Sequence, residues 1–120
     1  MITGVGIDIV DIKRFKTVLE RWGHRFLSRV FSEGELRYAL ARNSPEAHLA
    51  ARFAAKEALF KAIGPEFVPP FRFRDIEVMR DEGGRPLIKI LGLADEIKVH
   101  VSLSHDADIA MAQVVVEKIK

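Results

Sequence analysis

The sequence predicts an α+β fold, and three observations carry that reading. A β-branched apolar run stands near the start, helical patterns follow it, and the second half of the chain shifts to a strand period. The expected architecture is one domain over residues 1–120, with an antiparallel sheet packed against a long central helix and shorter N-terminal helices. A chain of 120 residues suits one domain with a modest core. Its 48% hydrophobic and 30% charged content are those of an ordinary globular protein. No apolar run reaches the roughly 18 residues of a membrane span, and no basic-then-apolar leader opens the chain. A cytoplasmic protein without a membrane partner is therefore expected.

With no Cys, disulfides, thiol catalysis and Cys-based zinc sites are excluded, and a reducing compartment fits. Four scattered His give little support for a His-rich metal site. The formal net charge of +2 is too small to imply nucleic-acid binding, so local clustering matters more.

Residues 3–10 read as a buried strand interrupted by Asp8. A carboxylate there is disfavoured by desolvation. It either caps the next helix or pairs with an Arg, or else it ligates a hard cation such as Mg²⁺, which needs only one or two protein carboxylates. Gly4 and Gly6 fit a bulge or a close backbone approach, and Gly-x-Gly without a third Gly is too weak for a dinucleotide fingerprint.

Asp11 can cap a helix through about Trp22, with Ile12, Phe15, Leu19, Trp22 and Phe26 as its apolar stripe. Arg14, Arg21 and Arg25 project to one side, and Gly23 is a break before Arg25. Such a face is either simply solvated or docks an acidic partner. Glu20 is the only carboxylate between Lys13 and Arg29. Ser32 and Glu35 form a capping box for a second helix to about Arg42, which explains both without catalysis.

The central helix runs from a cap at Ser44 and Pro45 in its first turn to a stop at Gly64. Its Ala-rich interior leaves almost no polar face, so it belongs inside the protein or at a subunit contact. Yet Arg52, Lys56, Glu57 and Lys61 lie on it, and buried charges need partners. Two readings stand: an internal ion-pair set, such as Glu57 with Lys61 at i,i+4, or a cleft for an anion and a metal. Three Pro make residues 64–74 a loop. Asp75 to Met79 and Pro86 to Leu91 read as a hairpin, Leu93 to Ile97 as a short helix, and Val99 to Leu103 and Ile109 to Val116 as strands.

Five segments in order, Gly6-Ile7-Asp8-Ile9-Val10, Phe53-Ala54-Ala55-Lys56-Glu57-Ala58 with Lys61-Ala62, Asp75-Ile76-Glu77-Val78, Gly84-Arg85-Pro86 and Ser102-Leu103-Ser104-His105, are similar to a known signature. It is that of the holo-acyl-carrier-protein synthases, the short bacterial 4′-phosphopantetheinyl transferases. The resemblance covers essentially the whole chain. It implies transfer of the 4′-phosphopantetheine arm of coenzyme A to a Ser of apo-acyl carrier protein, leaving adenosine 3′,5′-bisphosphate, in support of fatty acid biosynthesis. It also implies Mg²⁺ and a homotrimer with active sites between adjacent subunits.

By that resemblance Asp8 and Glu57 are the metal-binding carboxylates, and Lys61 holds a phosphate. Arg52, Lys56 and His105 serve the 3′-phosphate or the pantetheine phosphate, with His105 otherwise a structural residue. Glu57, a metal-bound water and His105 are the candidate bases. Arg14, Arg21 and Arg25 dock the acidic helix of the carrier protein. The turn opened by Gly64 approaches the coenzyme in the family. Here Pro65 removes a donor from it and Glu66 adds a negative charge near the phosphates. A non-catalytic binding module on the same fold is the alternative, but it leaves Asp8 and Glu57 unexplained, because carboxylates repel phosphate unless a cation intervenes.

Overall fold

The computed structural model describes residues 1–63, 72–92 and 96–119. Strand β1 spans Ile2–Asp11 and passes directly into helix α1, Ile12–Val30. Asp11 is the cap, its Oδ1 accepting from the Arg14 amide at 3.1 Å. The helix was expected to stop near Trp22. Instead it breaks at Gly23 (φ 52°, ψ −132°), a conformation for which glycine is suited, and resumes to Val30. Helix α2, Glu33–Leu40, opens with both bonds of the Ser32–Glu35 capping box.

Helix α3 spans Pro45–Ala62. Pro45 fills its first turn as expected, but Ser44 makes no side-chain cap bond. Gly64 and the Pro65-Glu66 departure lie outside the described residues. A 3₁₀ turn, Phe73–Asp75, leads into the hairpin of β2, Ile76–Arg80, and β3, Pro86–Ile90. Leu93 to Asp95 of the expected short helix are outside the described residues, and Ile97 belongs instead to β4, Ile97–Asp106. Strand β5, Ile109–Lys118, follows through a tight turn.

The strands divide between two antiparallel sheets, β1-β5-β4 and β2-β3. Asp8 and Leu103 both pair with Ala112 of β5, which fixes the register of the larger sheet. Its alternation is clean. Ala110, Ala112, Val114 and Val116 are buried on one face, whereas Val5, Ile7 and Ile9 are each more than half exposed on the other. Helix α3 covers the buried face, and two glycines set how closely. A methyl group at Gly6 would run into the carbonyl oxygen of Ala58, and one at Gly4 into that of Ala62. Close backbone approach is thus why β1 carries glycine here. Ala54 and Ala58, both fully buried, allow the same approach from the helix side. No helix among the described residues is long and apolar enough to cross a membrane.

Candidate active site

On one flank of α3 the chain assembles a small charged group beside β1. Asp8 projects from the helix-facing side of β1, and Lys61 from the last turn of α3. Lys61 Nζ donates to Asp8 Oδ1 and to the carbonyl of Ile7, both at 3.0 Å. Of the roles open to Asp8, capping falls to Asp11, and the basic partner is Lys61 rather than an Arg. Lys61 itself is more than half exposed, so this pair is worth about 0–1 kcal/mol and yields readily to a ligand.

Glu57 stands one turn before Lys61 and lines the same cleft, of about 500 Å³, together with Asp8, Arg14 and Phe53. Burial first, then the charge of Asp8, hold the Glu57 carboxyl above its ordinary range, and Lys61 opposes both. Two carboxylates that repel each other are the chemistry a divalent cation relieves. Among the described residues no group of three or more His, Asp or Glu is placed to hold a metal. Mg²⁺ tolerates that, since it keeps water and substrate phosphate oxygens as its remaining ligands.

Lys56 corrects an expectation. It is fully buried, and its ammonium is held by Glu35 Oε1 at 2.6 Å and by the carbonyls of Val30 and Phe73. The partners that a buried charge demands are all internal. Glu35 in turn accepts from the Ser32 amide through Oε1 and from the Val78 amide through Oε2. Lys56 therefore fastens α3 to α2 and β2, and faces no ligand.

The opposite flank, toward β4, gathers positive charge. Arg52 is 1% exposed, with Nη1 donating to the His48 carbonyl and Nε without a hydrogen-bond partner among the described residues. Its guanidinium carbon lies 4.3 Å from the centre of the Tyr38 ring, and that of the exposed Arg42 lies 3.5 Å from it. Tyr38 meets His48 edge to face, and His48 meets His105 in the same way, at 5.7 and 6.2 Å between ring centres. Arg80 from β2 adds a further positive charge beside Tyr38. The carboxylate that acts on Arg52 is Glu35, whose oxygens already serve Lys56 and two amides.

Burial lowers the His48 pKa, and the charges of Arg52, His105, Arg42 and Arg80 lower it further. An excess of cations with no free counter-charge among the described residues suits a multiply charged anion. Arg52 and His105 both adjoin His48, Arg52 from beneath the surface and His105 from the exposed side.

Tyr38, Arg42, His48 and Arg80 were not foreseen. Three of them carried a signal, because Tyr38–Arg42 and His48–Arg52 stand at i,i+4 spacing. Lys61 lies about 180° around α3 from Arg52, so the helix separates the two groups within one chain.

Helix α1 contributes a third surface. Trp22, Arg25, Phe26 and Arg29 line a groove of about 360 Å³, and the Arg21 guanidinium lies 5.6 Å from the Trp22 ring. Arg25 keeps its place in this patch although Gly23 breaks the helix. Arg14, by contrast, lines the cleft of Glu57 and Lys61.

A family model for the 4′-phosphopantetheinyl transferase superfamily matches residues 4–114. A holo-[acyl-carrier-protein] synthase of Syntrophus aciditrophicus is 43% identical over 127 residues, covering 100% of this chain and 99% of the relative. One of Halothermothrix orenii is 41% identical over 125 residues, covering 98% and 99%. Among solved structures, a holo-(acyl-carrier-protein) synthase from Bacillus anthracis in complex with CoA (3′,5′-ADP) is similar with a TM-score of 0.82 at 37% identity, covering 99% of each chain.

Proposed function

The chain belongs to the 4′-phosphopantetheinyl transferase superfamily, and from that premise we infer that it moves the 4′-phosphopantetheine group of coenzyme A onto a serine of apo-acyl carrier protein. The serine oxygen forms a new bond to the phosphorus of the pantetheine phosphate. The bond from that phosphorus to the bridging oxygen breaks, and adenosine 3′,5′-bisphosphate leaves with the electron pair. The serine proton passes to a base. The product supports fatty acid biosynthesis.

One observation carries the site assignment: Asp8, Glu57 and Lys61 line a single cleft at the foot of the basic helix. Asp8 and Glu57 would hold Mg²⁺, which when bound neutralises charge on the transferred phosphoryl group and the leaving group. Lys61, released from Asp8, holds a pyrophosphate oxygen as a point charge. Across α3, Arg42, Arg80 and His105 face solvent above the buried charge of Arg52. This flank takes the coenzyme's 3′-phosphate, a monoester that can carry nearly two charges where each pyrophosphate unit carries one. The α1 groove with Arg21 and Arg25 receives the acidic carrier protein, guided by charge.

Because α3 separates the two flanks in one chain, the complete site is formed between copies, in a homotrimer. The outward apolar face of β1 and β5, with Val5, Ile7, Ile9 and Met111, supports this, since such a face calls for cover. The test is a mixture. Glu57→Ala and His105→Ala, each nearly inactive alone, are unfolded and refolded together with coenzyme A, Mg²⁺ and apo-carrier protein. Mass gain on the carrier should return to roughly a quarter of the wild-type rate, as random pairing gives. Mixed oligomers that stay inactive overturn the shared site. A wild-type protein that adds no mass overturns the function.

A further inference from the structure

The buried Arg52 and the exposed Arg42 share one neighbour, the ring of Tyr38, and the reaction as derived so far assigns that ring no part. Stacking on an aromatic face attracts a guanidinium and fixes its plane. A flexible surface Arg meets a phosphate in many geometries, and one held by a ring meets it in few. The ordering is then complete before the ligand arrives, and less entropy is lost on binding. We propose that Tyr38 is a positioning residue for coenzyme binding, its ring holding Arg42 at the surface above the buried charge of Arg52 so that Arg42 meets the 3′-phosphate monoester in a fixed orientation.

Three further observations fit this role. Arg42 also donates through Nη1 to the Tyr38 carbonyl at 3.0 Å, so the same residue anchors the guanidinium twice. The Tyr38 ring is itself braced edge to face by His48, which is braced by His105. Burial raises the pKa of the Tyr38 phenol, yet the positive charges of Arg80 and Arg42 bring the pKa below its ordinary value. The hydroxyl therefore sits where negative charge is favoured, as a phosphate on this flank would.

The inference rests on the reading of this flank as the 3′-phosphate half-site, and the experiment separates the two. Steady-state constants for coenzyme A and for 3′-dephospho-coenzyme A are compared in wild type, Arg42→Gln, Tyr38→Leu, Tyr38→Phe and the Tyr38→Leu/Arg42→Gln double variant. Tyr38→Leu is expected to raise the KM for coenzyme A about tenfold, the upper part of what guanidinium stacking supplies, with kcat nearly constant. Its KM for the dephospho compound should hardly move. Tyr38→Phe keeps the ring and should recover most of the loss. The double variant should be no worse than Arg42→Gln alone, because positioning has no effect once its object is gone.

Tyr38→Gln replaces Tyr38→Leu if the latter does not fold. An unchanged KM in Tyr38→Leu beside a raised one in Arg42→Gln overturns the positioning role alone. Equal weakening of both compounds by Tyr38→Leu, or additive losses in the double variant, does the same. An unchanged KM for coenzyme A in Arg42→Gln, with no preference over the dephospho compound in wild type, overturns the half-site reading itself.

Discussion

The two flanks of α3 solve opposite electrostatic problems on one helix. Toward β1, Asp8 and Glu57 crowd negative charge against a single exposed Lys61, and burial together with the charge of Asp8 raises the Glu57 pKa. Toward β4, Arg42, Arg52 and Arg80 crowd positive charge around one phenol, with His48 and His105 ranged beside it. Neither group is balanced among the described residues. The first calls for a cation and the second for an anion, which on the proposed reading are Mg²⁺ and coenzyme A. Lys56 teaches by contrast: it lies on the same helix, yet Glu35 and two carbonyls satisfy it fully. Charge that a fold neutralises internally is structural, and charge left unbalanced is where a ligand belongs.

The largest expected effect tests the carboxylate flank. Asp8→Ala and Glu57→Ala should each lower transfer by about three orders of magnitude, the scale on which lost transition-state electrostatics is felt. Thermal midpoints should hold or rise, because removing either carboxylate relieves repulsion. Wild-type turnover by either variant at limiting Mg²⁺ would break the comparison at its first term.

Lys56→Met should show the reverse pattern. It strands Glu35 as an uncompensated buried charge, at a cost of about 3–5 kcal/mol in folding free energy. Denaturant midpoints should fall sharply while the KM for coenzyme A of the remaining folded enzyme stays put. A stable Lys56→Met protein with weakened coenzyme binding would return Lys56 to the ligand site.

The α1 groove should answer only to the protein substrate. Arg21→Glu with Arg25→Glu is expected to raise the KM for acyl carrier protein about tenfold at low salt, with the difference shrinking as ionic strength screens the wild type. Arg14→Glu is different, because Arg14 lines the Glu57 cleft, and it should disturb both substrates. If the Arg21/Arg25 variant also loses coenzyme affinity, the groove and the cleft are one surface.

The smallest effect is a pH dependence on the cationic flank. The His48 pKa is lowered in the folded protein, so the unfolded chain takes up the proton first as pH falls through the ordinary histidine value near 6.5. Stability attached to His48 is therefore intact above that value. It is lost as pH falls from there to the folded pKa. Between about pH 7.5 and about pH 5.5 the thermal midpoint of wild type should drop more than that of His48→Gln, which cannot be charged. Coenzyme A should narrow the gap by supplying negative charge. Parallel pH curves for the two proteins would show that the flank does not penalise a proton at His48.

Much of this could be read in the chain, and the limits have physical causes. Asp8, Glu57 and Lys61 stood out because charge inside apolar patterns is costly and needs a reason. The strands, the hairpin and the capping box followed from period and turn chemistry, which are local. Lys56 was misjudged because its partner Glu35 is 21 residues away, and a capping box had already accounted for Glu35. Its Oε1 serves that cap and the ammonium together, a double duty invisible to spacing. Arg80 could not be tied to Tyr38, since only the packing of β2 against α2 brings them together. Helix α1 ran past Gly23 because packing of Phe26 and Leu27 into the core outweighs one glycine's break.

The pairing of β1 with β5 has a consequence for the time at which the enzyme comes into being. The amino group of Met1 meets the carbonyl of Lys118 across 117 positions of sequence, and Asp8 sits opposite Ala112. At ordinary rates of translation the partner strand emerges on the order of ten seconds after β1. Until then β1 has α3 to pack against but not the strand that pairs with it. A chain still being synthesised therefore lacks the register that sets Asp8 opposite Ala112. Closure of this long loop is a non-local pairing, of the kind whose entropy must be lost before its contacts form.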